Sequence, residues 1–211
     1  MGNAQADAQP SQPDTAHDAD TGESLIVAFY PQRTTGCEHG FTNCVLSCLS
    51  KLVAPKFEHC NLAFITVNKL SGKVSSKMTY SMTKSDHFGI PNVGYTDDLW
   101  HIFRWRAVSH SQIEKVRAWC NAKLDTRFNT SAFLINFLPC TIAFCAVNAR
   151  GKRMFCAESV VLALRAGDRN ILPQLTPYLC TTDQLYYALV EDESNFQRIS
   201  LRDEGQPFYE L

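Results

Sequence analysis

Hydrophobic and polar positions follow two periods along this chain, and the switches between them mark its elements. Residues 24–30 (SLIVAFY) make a short apolar run closed by Pro31, which predicts a strand. In residues 41–53 the apolar positions Phe41, Cys44, Val45, Cys48, Leu49 and Leu52 recur at spacings of three and four, the mark of a helix face. Residues 57–67 (FEHCNLAFITV) and 74–82 read as strands. The Ser71-Gly72-Lys73 turn between them predicts a hairpin. Residues 86–98, with Gly89, Pro91 and Gly94, read as a loop, and residues 99–108 (LWHIFRWRAV) as an alternating strand. Ser111-Gln112-Ile113-Glu114 has the form of a capping box, opening a helix with Ile113, Val116, Cys120 and Leu124 on one face. A long apolar segment spans 132–147, and a basic turn follows at 150–153. Residues 156–166 (CAESVVLALRA) predict an apolar helix with Gly167 just past its end. Residues 181–190 predict a short helix capped by Thr182 or Asp183. The pattern is α+β, with antiparallel strands and helices not in strict alternation.

Composition divides the chain. Residues 1–23 hold five acidic residues, no Lys or Arg and no aromatic residue. Such a segment buries too little apolar surface to offset its ordering entropy, so 1–23 is expected to be a disordered acidic tail and 24–211 one domain. The whole chain has 211 residues and a net charge of -1. Without the tail, 20 basic and 16 acidic residues remain. That mild excess does not carry nucleic acid, and Arg104-Trp105-Arg106 reads as a solvated strand face. No nucleic-acid partner and no cofactor are expected. No apolar run of about 18 residues is present, so no membrane-spanning helix is expected. No signal peptide is visible, which points to the cytoplasm. Gly2 followed by small residues resembles an N-myristoylation start, although Ala6 stands where Ser or Thr is preferred. One acyl chain there would give only weak membrane association.

Nine cysteines, an odd number without an export signal, suggest reduced thiols, a metal site or a nucleophile rather than a disulfide framework. The sequon Asn129-Thr130-Ser131 is then without consequence. Cys156 stands at the predicted first turn of a helix, where unpaired N–H groups and the helix dipole favour a thiolate. Arg150, Lys152 and Arg153 lie just upstream. The plainer reading of Cys156 is a small buried residue at a helix start. A nucleophilic cysteine needs a base, and His59, set within an apolar strand, is the best placed. Its plainer reading is a satisfied core histidine. His87 and His101 have no supporting pattern. Cys37, His39, Cys44 and Cys48 are zinc-ligand types, but their spacing matches no common finger and Cys44 and Cys48 fit an apolar helix face.

Two segments together carry a resemblance. Phe57-Glu58-His59-Cys60-Asn61-Leu62-Ala63-Phe64 resembles the histidine strand of circularly permuted NlpC/P60-like proteins, a branch of the papain-like thiol hydrolases. Phe155-Cys156-Ala157-Glu158-Ser159-Val160-Val161-Leu162-Ala163-Leu164 resembles their cysteine helix, here after the histidine strand. Phe128-Asn129, Phe137-Leu138-Pro139 and Leu175-Thr176-Pro177 resemble flanking family segments. The resemblance implies a permuted papain-like fold with Cys156 as nucleophile, His59 as general base and the Cys156 N–H as oxyanion donor. It implies a peptide, isopeptide or lipid-ester substrate, and a setting in the cytoplasm of a host cell or in a virion if the member is viral. The family orients its histidine with a third polar residue on the next strand. Here that strand offers Ser75, Ser76, Thr79 or Ser81, and Asn61 stands where the family often has Glu. A neutral third position also suits a catalytically degenerate member that binds a partner.

Overall fold

The strands pair in the order β4-β3-β2-β1-β5-β8-β9, each antiparallel to its neighbour. They are β1 (Thr21–Pro31), β2 (Phe57–Asn68), β3 (Val74–Met82), β4 (Phe88–Gly89), β5 (His101–Trp105), β8 (Phe196–Ser200) and β9 (Tyr209–Glu210). A separate parallel pair joins β6 (Arg127–Phe128) to β7 (Arg153–Met154). The helices are α1 (His110–Ala122), α2 (Cys156–Gly167) and α3 (Thr182–Glu191), with a 3-10 turn at Pro177–Leu179. This computed structural model describes residues 21–31, 56–68, 74–82, 87–95, 100–128, 153–200 and 209–210. The class is α+β, and none of the described helices is long and apolar enough to cross a membrane.

The central strands are apolar on both faces, which is why β1 reads as an unbroken apolar run. Leu25, Val27, Phe29, Leu62, Phe64 and Phe103 share a core with Val160, Val161 and Leu164 of α2 and with Leu185 and Leu189 of α3. Ile26, Ala28, Ala63, Ile65, Ile102 and Ile199 form a second cluster on the opposite face, with Tyr95. A sheet covered on both sides fixes the register, because a slip of one residue would exchange the two sets.

Several boundaries differ from the pattern reading. Thr21, Gly22 and Glu23, assigned by composition to the tail, pair with Asn68, Val67 and Thr66. Glu23 also pairs with Arg117 of α1, so its charge has a partner inside the domain. The stretch 86–98 is not all loop, since Phe88–Gly89 pairs with Ser81 and Met82. The strand expected over 99–108 is shorter, and Ala107 beyond it turns the chain with a positive φ of 46°. The capping box of α1 is Ser109 with Gln112, two residues earlier than expected. Ser109 has the extended backbone a cap needs, while Glu114 turns to Arg117 instead. Leu124 lies past the helix end and is exposed. The cap of α3 is Thr181, not Thr182 or Asp183, whose side chains go to β2. Strands β8 and β9 had no pattern-based counterpart. The helix expected over 41–53, the apolar segment 132–147 and the Ser71-Gly72-Lys73 turn lie outside the described residues.

Gly167 is the last residue of α2 rather than a residue beyond it. Its reason is close packing: an added Cβ would sit 2.8 Å from Val116 Cγ2, 3.2 Å from the Gln112 carbonyl and 3.3 Å from Trp105. α1 therefore rests directly against the end of α2. Gly167→Ala, which would stabilise an exposed helix by up to about 1 kcal/mol, is expected here to overpack the contact at a cost of about 1–3 kcal/mol. Thermal unfolding checks this, the expected result being a lower Tm.

Candidate active site

The start of β2 is held from outside the sheet. Asp183, in the first turn of α3, accepts from the backbone N–H groups of Lys56 (3.1 Å) and Phe57 (3.0 Å). The Thr182 hydroxyl donates to the Phe57 carbonyl at 2.7 Å. Next along the strand the register shifts. Tyr30 pairs with His59 but Pro31 pairs with Phe57, so Glu58 is an extra residue with no partner on β1. Pro31 has no N–H to continue the ladder, which suits the break. A bulge of this kind re-aims the side chains beside it. His59 is the next residue.

The opposing part comes from α2. Phe155 has extended backbone at the N-cap, and Glu158 reaches back to accept its N–H at 3.4 Å. Cys156 is thus the first helical residue, and its own N–H is among those a helix start leaves without an intrahelical partner. Ala157, Val160, Val161 and Leu164, the face expected from the sequence, are all buried, and α2 packs across β2. Across this contact Cys156 and His59 are near enough for each to shift the charge of the other.

Charges at the pair are displaced in opposite directions. Hydrogen bonding from the Cys60 thiol holds the Cys156 thiol well below its ordinary pKa. Burial opposes this, and the His59 side chain and the Cys60 N–H add to it. Burial lowers the His59 pKa, but the interaction with Cys156 outweighs it, with smaller help from Asn61 and Glu58, so the imidazole is raised above its ordinary value. A thiolate and an imidazolium are the states the site favours. The contrast with other buried thiols is clear. Burial pushes Cys120 and Cys180 up to about 12, and Cys60 is raised as well, first by burial.

His59 Nε2 lies 2.6 Å from Ser81 Oγ, and the Ser81 hydroxyl donates to the Met82 carbonyl at 3.1 Å. A hydroxyl has one proton, so with that proton given to Met82 it accepts from Nε2–H. Of the four hydroxyls expected as third partner, Ser81 is the one at His59. Ser75 and Ser76 bond Thr66 at the exposed end of β3, and Thr79 meets the Tyr95 hydroxyl at 3.1 Å. Asn61 is buried beside His59 and Tyr95, and its Oδ1 meets no hydrogen-bond donor among the described residues.

His87 and His101 are not at this site. His87 bridges to Arg127, and His101 faces Arg198 and Tyr186. Trp105 is buried, so it presents no face for stacking on a base. Cys37, His39, Cys44, Cys48, Arg150 and Lys152 lie outside the described residues, as do Gly2 and the sequon. Among the described residues, Glu23, His110 and Glu114 converge closely enough to hold a metal ion, but Arg117 already pairs with both carboxylates. The sequence reading overlooked Cys60 as a participant, although its place directly after His59 was the available signal. The chain matches no family model, no curated protein and no solved structure at a significant level.

A depressed thiol pKa extends the thiolate to lower pH, and a raised imidazole pKa extends the imidazolium to higher pH. Alkylation at pH 6 is therefore expected to label Cys156 ahead of Cys60, Cys120 and Cys180, followed by peptide mass mapping. His59→Ala is expected to move the acid limb of the rate profile towards ordinary thiol values. Ser81→Ala should move it less, in the same direction.

Proposed function

We propose that this protein is a cysteine hydrolase or acyltransferase acting on an amide or ester carbonyl, with Cys156 as nucleophile and His59 as general acid and base. The observation that carries the reading is the pairing of Cys156, at the start of a twelve-residue helix, with His59, held at Nε2 by Ser81. The thiolate attacks the carbonyl carbon. The oxyanion that forms is stabilised by the backbone N–H of Cys156 at the start of α2. Protonated Nδ1 of His59 then gives its proton to the leaving amine or alcohol, leaving an acyl-enzyme. Neutral His59 next takes a proton from water, or from another acceptor, as that molecule attacks and releases the acyl group.

The order of strand and helix supports a permuted papain-like arrangement. The histidine strand precedes the cysteine helix in the chain, yet each side chain shifts the charge of the other. A catalytic pair is recognised by its geometry, not by chain order. The substrate would be a peptide, an isopeptide or a lipid ester. A second reading, a papain-like fold that binds a partner without turnover, is favoured by Ser81. A hydroxyl accepts from the imidazole but does not stabilise an imidazolium as a carboxylate does.

An activated p-nitrophenyl ester separates the two readings. The hydrolase reading expects a stoichiometric burst of p-nitrophenol and an acylated Cys156 by mass. Cys156→Ala should abolish the burst, and His59→Ala should slow turnover by about 10²–10⁴-fold. A wild-type protein whose Cys156 alkylates readily but acylates no faster than the Cys156→Ala variant would assign the fold to binding.

A further inference from the structure

A second cluster of functional groups gathers where α3 meets the end of the sheet, apart from Cys156 and His59. Its floor is apolar. The Phe57 and Tyr186 rings lie 4.4 Å apart between centroids, and both are buried. Its rim is positive. Lys56 Nζ stands over the Tyr186 ring at 4.6 Å and near the Phe57 ring at 5.5 Å. The His101 ring faces the same two side chains, 5.6 Å from Tyr186 and 5.0 Å from Phe57. Arg198 of β8 donates to His101 Nδ1 at 3.1 Å, and the Tyr186 hydroxyl lies 3.4 Å from the same nitrogen. Lys56 and Arg198 are both exposed.

The positive charge of this rim is not balanced within the described residues. Neither Lys56 nor Arg198 pairs with a carboxylate among them. Asp183, in the first turn of α3, spends its two oxygens on the backbone N–H groups of Lys56 and Phe57. Glu58 is exposed, and its charge is felt at His59. The imbalance reaches His101, whose pKa is lowered by burial first and then by the charges of Arg198 and Lys56. Nδ1 accepts from Arg198, so the one proton of the neutral ring sits on Nε2. A negative charge brought to this rim would relieve all three groups together.

We infer that Lys56, His101 and Arg198 form an anion-binding site, which takes a carboxylate or phosphate group carried by the substrate. An ammonium and a guanidinium give such a group charge-assisted hydrogen bonds. The buried rings beneath suit the apolar chain that carries it. Lys56 and Phe57 lead directly into the bulge before His59, so the site lies at the same end of β2 as the candidate active site. The assignment to a substrate rests on the hydrolase reading, whereas the binding of an anion does not.

Two readouts on the full chain test this. The first follows the His101 ring by NMR through a pH titration in chloride, inorganic phosphate or glutarate at equal ionic strength. The His101 pKa is expected to rise in phosphate or glutarate relative to chloride, because a bound anion offsets Arg198 and Lys56. In Lys56→Gln and Arg198→Gln it is expected to start higher and to respond less. A His101 pKa that is the same in all three salts would overturn the site. The second readout compares the p-nitrophenyl esters of valeric, glutaric and 4-phosphonobutyric acid, which differ in the group at the chain end. The ester whose end group matches the responding salt is expected to give the burst about tenfold faster than the valerate. That ratio is expected to fall toward one in both variants. A burst at equal rates from all three esters would overturn the assignment to a substrate and leave the hydrolase reading standing. No burst from any ester would remove the hydrolase reading, and the His101 titration would still decide the anion site.

Discussion

The docking of the first turn of α2 onto the start of β2 is the contact on which the rest of the site depends. It is an apolar contact with a polar edge. Val160, Val161 and Leu164 press into the core formed by Leu62, Phe64 and Phe29, and this burial sets the height of the helix over the sheet. What lands at its end is then a matter of register. Cys156 falls at the first helical position, and His59 follows the bulge at Glu58. The strand end is in turn clamped by Asp183 and Thr182 of α3. Three elements distant in sequence thus fix two side chains.

Burial alone would make this a poor place for charge. It raises Cys120 and Cys180, which have no cation close enough to reverse the effect. At Cys156 the same penalty is outweighed because three donors converge on one sulfur: the Cys60 thiol, the His59 side chain and the Cys60 N–H. A buried ion pair of this kind is costly unless its remaining hydrogen-bonding capacity is met. Ser81 meets that need on the far side of the ring, at Nε2. Asn61, buried beside the ring, also favours the imidazolium.

The elements that carry this arrangement were legible in the sequence, because they follow from periodicity. The strands around His59 and the helix at Cys156 are strongly patterned, whereas the pairing of the two residues is what a family resemblance implied. Features set by tertiary contacts were not legible. Asp183 reads as a helix cap until β2 is seen to end beside it. Gly167 reads as a stop signal until α1 is found against it. Ser81 could not be chosen from Ser75, Ser76 and Thr79 by spacing, since the choice depends on which hydroxyl the His59 ring reaches. Cys60 was passed over for a related reason. Alternation sends neighbouring strand residues to opposite faces, so a residue next to His59 does not read as its companion.

The central claim is that His59 and its neighbours hold Cys156 as a thiolate. Ultraviolet thiolate absorbance, taken as the difference between wild type and Cys156→Ala across a pH titration, measures this directly. The account predicts a difference signal that persists well below the ordinary thiol range and shifts upward in pH in His59→Ala. A signal that appears only in the ordinary thiol range, and is unmoved by His59→Ala, would contradict it.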